Sequence, residues 1–65
     1  MTTETYQEVI TERALRYGLT VAAVEYAQTI FFGGDEEAAN QMHQELGSSV
    51  SLHDCLEWVR GKVTP

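Results

Sequence analysis

The sequence is poor in cysteine, proline and basic residues. It has one cysteine, Cys55, one proline, and only four lysine or arginine residues among 65. A single cysteine excludes a disulfide within the chain and is typical of a reducing compartment. Ten acidic residues against four basic ones give a net charge of −6. This balance argues against direct binding of nucleic acid, because contacts to a phosphate backbone depend on basic side chains.

Long apolar runs are also missing. No stretch is long enough to span a bilayer, and no charged start followed by an apolar segment predicts a secretory signal. We therefore expect a cytoplasmic protein with no membrane partner. A chain of this length forms one domain at most, residues 1–65. So small a domain buries a modest part of its surface, and association with a partner is one way for it to gain stability.

Start and stop signals divide the chain into four helical segments. Each opens at a residue that can cap a helix: Thr5 (or else Thr2 or Thr3), Thr20, Asp35 and Ser51. Each also ends near a glycine, and Gly61 is expected to close the last one. No segment shows the two-residue alternation of a strand. The sequence therefore predicts an all-α fold, a compact bundle of four short helices at about 4–17, 21–32, 36–46 and 52–60.

The second helix is the most apolar of the four. At about 100° per residue its apolar side chains sweep an arc of roughly 200°, which leaves a polar strip of Glu25, Gln28 and Thr29. Such a helix needs cover from more than one side. It is either the central helix of the bundle, or it meets a second copy or a partner. Aromatic residues are favoured interface anchors, and the candidates are Phe31, Phe32 and Trp58.

One side of the first helix carries acidic residues at every fourth position, namely Glu4, Glu8 and Glu12. Leu15 lies among them, and Arg16 continues the row next to Glu12. This side is either an ordinary solvated helix face or an acidic stripe with an apolar anchor, suited to a basic groove.

The opposite side of the first helix carries an apolar stripe with a charge in its middle. Its apolar members are Tyr6, Val9, Ile10, Ala14 and Tyr17. Arg13 lies within the stripe, so we expect its stem to cover apolar surface and its guanidinium to stack near one of the two tyrosines.

A second group of acidic residues, Asp35, Glu36 and Glu37, opens the third helix. The helix dipole favours negative charge in the first turn, and this preference is enough to account for the group. The same residues are also candidates for contact with a basic partner.

Catalytic and metal-binding patterns are not recognisable in the sequence. Cys55 and His53 are two residues apart on one helix and do not face each other. Cys55 lies on an apolar stripe, so we expect it in the core. His43 and His53, together with Glu45 or Asp54, match no ligand spacing known for zinc. We therefore expect no enzyme, no cofactor and no metal.

Two stretches resemble ubiquitin-associated domains. YGL at 17–19 resembles their Met-Gly-Phe loop, and GGDEEAA at 33–39 resembles their Gly-Gly-Asp/Asn turn. The resemblance implies a three-helix module that binds ubiquitin through Tyr17, Gly18 and Leu19. The first helix is longer than that family needs and a fourth helix is left over. We therefore do not assign the chain to the family.

Two hypotheses on function follow from these observations. The first is a small non-enzymatic protein–protein interaction module that associates with itself, as a homodimer, through the second helix and the nearby aromatic residues. The alternative is an acidic inhibitor or decoy of the phage type. It would mimic nucleic acid and occupy the basic groove of a nucleic-acid-handling protein, using the acidic residues of the first helix and the group at 35–37.

Overall fold

A computed structural model describes residues 5–63 of the chain. Over this range the chain forms four α-helices: α1 (Tyr6–Tyr17), α2 (Val21–Phe31), α3 (Glu36–Leu46) and α4 (Leu52–Val63). The same range contains no strand. The predicted all-α bundle of four short helices is confirmed. None of the helices in this range is both long enough and apolar enough to cross a membrane.

Side-chain caps explain where the helices begin. Thr5, Thr20 and Asp35 are the N-caps of α1, α2 and α3, and each side chain accepts a hydrogen bond from the backbone N–H three residues later. Before α4, Ser51 and Asp54 each accept a hydrogen bond from the other's backbone N–H, at 3.2 and 3.3 Å. These bonds satisfy donors that the first turn of a helix leaves free. The predicted starts of α2, α3 and α4 are confirmed, whereas α1 begins at Tyr6 and not at about residue 4, because Thr5 is its N-cap.

The end of α4 differs from the prediction. The helix continues through Gly61 to Val63 instead of closing near residue 60. Gly18 stops α1 with a left-handed φ of 67°, but Gly61 does not adopt such a conformation. One residue further on, Lys62 lies over the ring of Trp58, 5.0 Å from its centre. A helical last turn places these two residues on one side of the helix, so their contact favours continuing the helix over a stop at Gly61.

The core lies between α2 and the other three helices. α2 packs against α1, α3 and α4, and its contact with α4 is the most extensive. The buried apolar side chains are Ile10 and Ala14 of α1, Val24, Ala27 and Ile30 of α2, Met42 of α3, and Cys55, Leu56 and Val59 of α4. Removing this apolar surface from water is the main force that holds the bundle together. α2 is therefore the central helix, one of the two arrangements expected for it.

The orientation of α2 corrects the prediction of its polar strip. Gln28 is buried, although it was expected in that strip, whereas Ala22 and Tyr26 are exposed, although they were expected in the apolar arc. Gln28 turns inward because its side-chain oxygen Oε1 accepts a hydrogen bond from Nη1 of Arg13 on α1. A buried amide needs such a partner. The same bond gives Arg13 a polar partner in α2, where the sequence had suggested stacking on a tyrosine.

Candidate functional site

The exposed side of α2 is the part of this helix that its neighbours leave uncovered. It consists of Ala22, Glu25, Tyr26 and Thr29, and Phe32 follows directly after the helix. Steps of three and four residues place these side chains on one line along the helix. We call this surface, Ala22 to Phe32, the α2 face. It mixes exposed apolar surface with a single carboxylate.

A groove runs along one edge of the α2 face. Phe32 is 74% exposed and Tyr6, at the start of α1, is 62% exposed. The space beside them has a volume of about 470 Å³. We call it the Tyr6–Phe32 groove, and its lining residues are Tyr6, Glu25, Gln28, Thr29, Phe32 and Gly34. It therefore combines two exposed aromatic rings with one carboxylate and one amide.

Two contacts hold this groove in shape. The ring of Phe32 meets the ring of Phe31 edge to face, with centres 5.1 Å apart and an angle of 83° between them. Phe31 itself is partly buried and packs on the core. Beneath the groove, the hydrogen bond from Arg13 fixes the amide of Gln28. Phe31, predicted as an interface anchor, thus supports the exposed Phe32.

The other edge of the α2 face borders the start of α3. Tyr26 is 44% exposed and lines a second depression together with Asp35 and Glu37. Asp35 uses one carboxylate oxygen to accept the N–H of Ala38, at 3.1 Å. Glu36 and Glu37 are exposed in the first turn of α3, the position that the helix dipole favours for acidic residues. The acidic group at 35–37 thus lies next to the α2 face.

The predicted acidic stripe of α1 lies on a different surface. Glu8, Glu12 and Leu15 are exposed and line one shallow depression on α1, and Leu15 is 81% exposed as expected. Glu12 is paired with Arg16 at 2.8 Å, so one negative charge of the acidic stripe is offset. Glu4 lies outside the described residues.

Trp58 contacts its own chain more than solvent. It is partly buried against the core, and its indole Nε1–H donates to Oε1 of Glu45 at 3.1 Å. Nζ of Lys62 lies 3.2 Å from Oε2 of the same carboxylate. The indole hydrogen bond, followed by that of Lys62, lowers the pKa of Glu45 below its ordinary value. This cluster ties α4 to the end of α3. Trp58 also lines a shallow depression with Leu46, Asp54 and Glu57, so its role as an interface anchor stays a prediction.

The basic side chains are all engaged elsewhere. The four lysine and arginine residues of the sequence have the following partners: Arg13 bonds to Gln28, Arg16 to Glu12, Arg60 to Glu57 and Lys62 to Glu45. None of these pairs includes Glu25, Glu36 or Glu37. The carboxylates of Glu25, Glu36 and Glu37, at and beside the α2 face, are therefore not paired with any of the four basic side chains.

Cys55 and the two histidines lie apart from this face. Cys55 is fully buried, its Sγ–H donates to the carbonyl oxygen of Ala27 at 3.2 Å, and burial raises the pKa of its thiol. The prediction that it is a core cysteine is confirmed. His53 Nδ1 lies 2.7 Å from the hydroxyl of Tyr17, and His43 Nδ1 donates to the carbonyl of Gly47 at 2.9 Å. Within residues 5–63, no three histidine, cysteine or acidic side chains come together as metal ligands would.

Comparison with known proteins identifies no relative. No protein-family model, no curated protein and no solved structure matches the chain. The resemblance to ubiquitin-associated domains therefore gains no support. In the loop on which it rests, Tyr17 and Leu19 are partly buried against the core and Gly18 is exposed.

Sequence reasoning missed Tyr6 and Glu25 as parts of one groove. Tyr6 was placed in the apolar stripe of α1, and Glu25 in a polar strip. A signal was nevertheless present, because the connection between α1 and α2 spans only residues 18–20. Short connections make neighbouring helices antiparallel, and this arrangement brings the start of α1 beside the end of α2.

Proposed function

We propose that this protein is a non-enzymatic protein–protein interaction module whose binding site is the α2 face with the Tyr6–Phe32 groove. The observation that carries the proposal is the exposure of Phe32, at 74%, beside Tyr6, at 62%. Water contact with two neighbouring aromatic rings is unfavourable, and covering them is a large source of binding free energy. Aromatic residues are typical hot spots of protein interfaces.

The partner that suits this site best is a basic protein surface. Glu25 lines the groove and the acidic group at 35–37 borders the same face. In a symmetric dimer built on the α2 face, each copy would present this patch to its equivalent. Both sides of such an interface would then carry the same acidic residues, and like charges across an interface are unfavourable. Self-association, predicted from the apolar arc of α2, is thus the less favoured form of the proposal.

The alternative hypothesis of a nucleic-acid decoy has weaker support. Such a mimic needs a row of uncompensated carboxylates. On α1, however, Arg16 offsets Glu12 at 2.8 Å, and Asp35 is engaged in capping α3. The acidic residues of α1 and those at 35–37 also line separate depressions.

The absence of catalysis and the cytoplasmic location remain parts of this proposal. The only thiol is sealed in the core with a raised pKa, and a buried thiol of this kind is a poor nucleophile. A single cysteine suits a reducing compartment such as the cytoplasm.

Site-specific photocrosslinking in the native host tests the proposal. A photoreactive phenylalanine analogue replaces Phe32 in one variant and Leu15 in a matched control, since Leu15 is also exposed and apolar but lies on α1. We expect a discrete adduct with a basic protein from position 32 and little adduct from position 15. An adduct of twice the chain's mass would assign the face to self-association. Equal yields from both positions, or none from position 32, would contradict the proposal.

A further inference from the structure

We propose that the Tyr6–Phe32 groove receives an arginine side chain of the partner, with its guanidinium against the carboxylate of Glu25. This inference rests on the proposed function and gives its partner a specific chemistry. The groove offers the two groups that bind a guanidinium best. Aromatic rings attract a cation over their faces, and a carboxylate accepts two parallel hydrogen bonds from the planar fork of arginine.

The groove is a shallow space, open to solvent, with a volume of about 470 Å³. Such a space can admit one side chain of a partner without enclosing it. Phe32, Tyr6 and Glu25 all line this single space, so one inserted side chain can contact the rings and the carboxylate together. The flat guanidinium also stacks on aromatic rings, which the compact ammonium of lysine does not do as well.

Charge complementarity favours a cation over an apolar occupant. The chain carries −6, and its basic side chains are paired away from Glu25. An apolar side chain in the groove would take the carboxylate of Glu25 from water without giving it a partner, which is costly. An arginine side chain displaces the same water from the carboxylate of Glu25, but its guanidinium gives that carboxylate hydrogen bonds and a compensating positive charge.

Arg13 is the cation nearest to this groove and must be considered. It bonds to Oε1 of Gln28, whereas the groove-lining residues include Gln28 but not Arg13. The amide thus separates the two positions. Arg13 weakens the attraction for an incoming cation without occupying its site.

The test measures binding of a hexa-arginine peptide to the full chain by isothermal titration calorimetry at low salt. Two pairs of variants separate the groove from general charge attraction. Glu25→Gln and Glu8→Gln each remove one exposed carboxylate, one in the groove and one on α1. Phe32→Ser and Leu15→Ser each remove one exposed apolar side chain on the same two surfaces. Because all four positions are exposed, circular dichroism should show unchanged folding.

We expect Glu25→Gln and Phe32→Ser each to raise the dissociation constant about fivefold or more, a change of the size that losing one charge-assisted hydrogen bond or one aromatic contact produces. The two α1 variants should change it less than about twofold, and hexa-lysine should bind more weakly than hexa-arginine. Equal effects of the paired variants, or no binding of hexa-arginine, would overturn the inference. If crosslinking at position 32 persists in that case, the proposed function stands and only the arginine assignment fails. If hexa-arginine binding and crosslinking at position 32 are both absent, the arginine assignment and the proposed function are both wrong.

Discussion

Replacing Arg13 with methionine should destabilise the bundle by about 1–2 kcal/mol. The change removes the charged donor that satisfies Gln28 but keeps an apolar stem of similar reach. Hydrogen bonds to charged groups contribute about 1.5–3 kcal/mol, and an unsatisfied buried acceptor costs about 1–3 kcal/mol. Arg13 is only partly buried, so the lower part of these ranges applies. A chain of 65 residues has a total stability of about 3–10 kcal/mol at ordinary values per residue.

A double-mutant cycle isolates this bond. Gln28→Leu fills the same buried space without an amide and should also cost about 1 kcal/mol, because it leaves Arg13 without its acceptor. The double variant Arg13→Met with Gln28→Leu should be close to the wild type, within about 1 kcal/mol, since both polar groups are then gone. The expected coupling energy between the two positions is therefore about 1–3 kcal/mol.

Urea unfolding provides the measurement. Helix content by circular dichroism and Trp58 fluorescence should give coincident transitions if unfolding is two-state. With a slope of about 1 kcal/mol/M for a small protein, Arg13→Met should lower the midpoint by about 1–2 M. A coupling energy below about 0.5 kcal/mol would show that the two residues are independent. The stated reason for the inward turn of Gln28 would then be refuted.

Three further predictions concern positions away from the groove. Gly61→Ala should stabilise the protein by about 0.5–1 kcal/mol, because Gly61 is helical and its Cβ would meet open space. Gly18→Ala should destabilise the protein, since φ there is 67°. Thermal unfolding compares the two variants, and a loss of stability in Gly61→Ala as well would contradict the helical conformation of Gly61. The pKa of Glu45 is depressed below 4.5 in the folded state, chiefly by the indole of Trp58. The ionised carboxylate of Glu45 therefore stabilises the fold above pH 4.5, and this contribution is lost as the pH falls through the pKa of the folded state. The Glu45→Gln variant should lose less stability on acidification than the wild type, and equal losses in the two proteins would contradict this pKa shift. The buried Cys55 thiol should react with Ellman's reagent only at the rate at which the protein opens, and fast reaction under native conditions would contradict its burial.

Local sequence signals were sufficient to predict the four helices and the starts of α2, α3 and α4. A capping side chain acts within one turn, so Thr20 and Asp35 could be recognised without knowledge of the fold. The end of α4 could not be predicted in this way. Gly61 is a local stop signal, but the contact of Lys62 with Trp58 and Glu45 holds the last turn in the helix.

Which side of α2 faces the core could not be predicted without knowing the helix that packs against it. Gln28 is polar, and periodicity alone assigned it to the solvent side. Its partner Arg13 lies 15 residues away on α1, and no local pattern links the two. The candidate site depended on the same kind of information. Phe32 was one of the predicted interface anchors, but the groove it forms with Tyr6 arises only from the antiparallel packing of two helices.

Chemical-shift mapping by two-dimensional amide NMR tests whether the Tyr6–Phe32 groove is the binding site, since it reports where a basic ligand binds on the whole surface. Hexa-arginine is titrated into the labelled protein at low salt. We expect the shift changes to concentrate at Tyr6, at Glu25 to Phe32 and at Gly34, the residues of the groove and the adjoining α2 face. Shifts centred on Glu8 to Leu15 of α1, or spread evenly over all acidic positions, would contradict it.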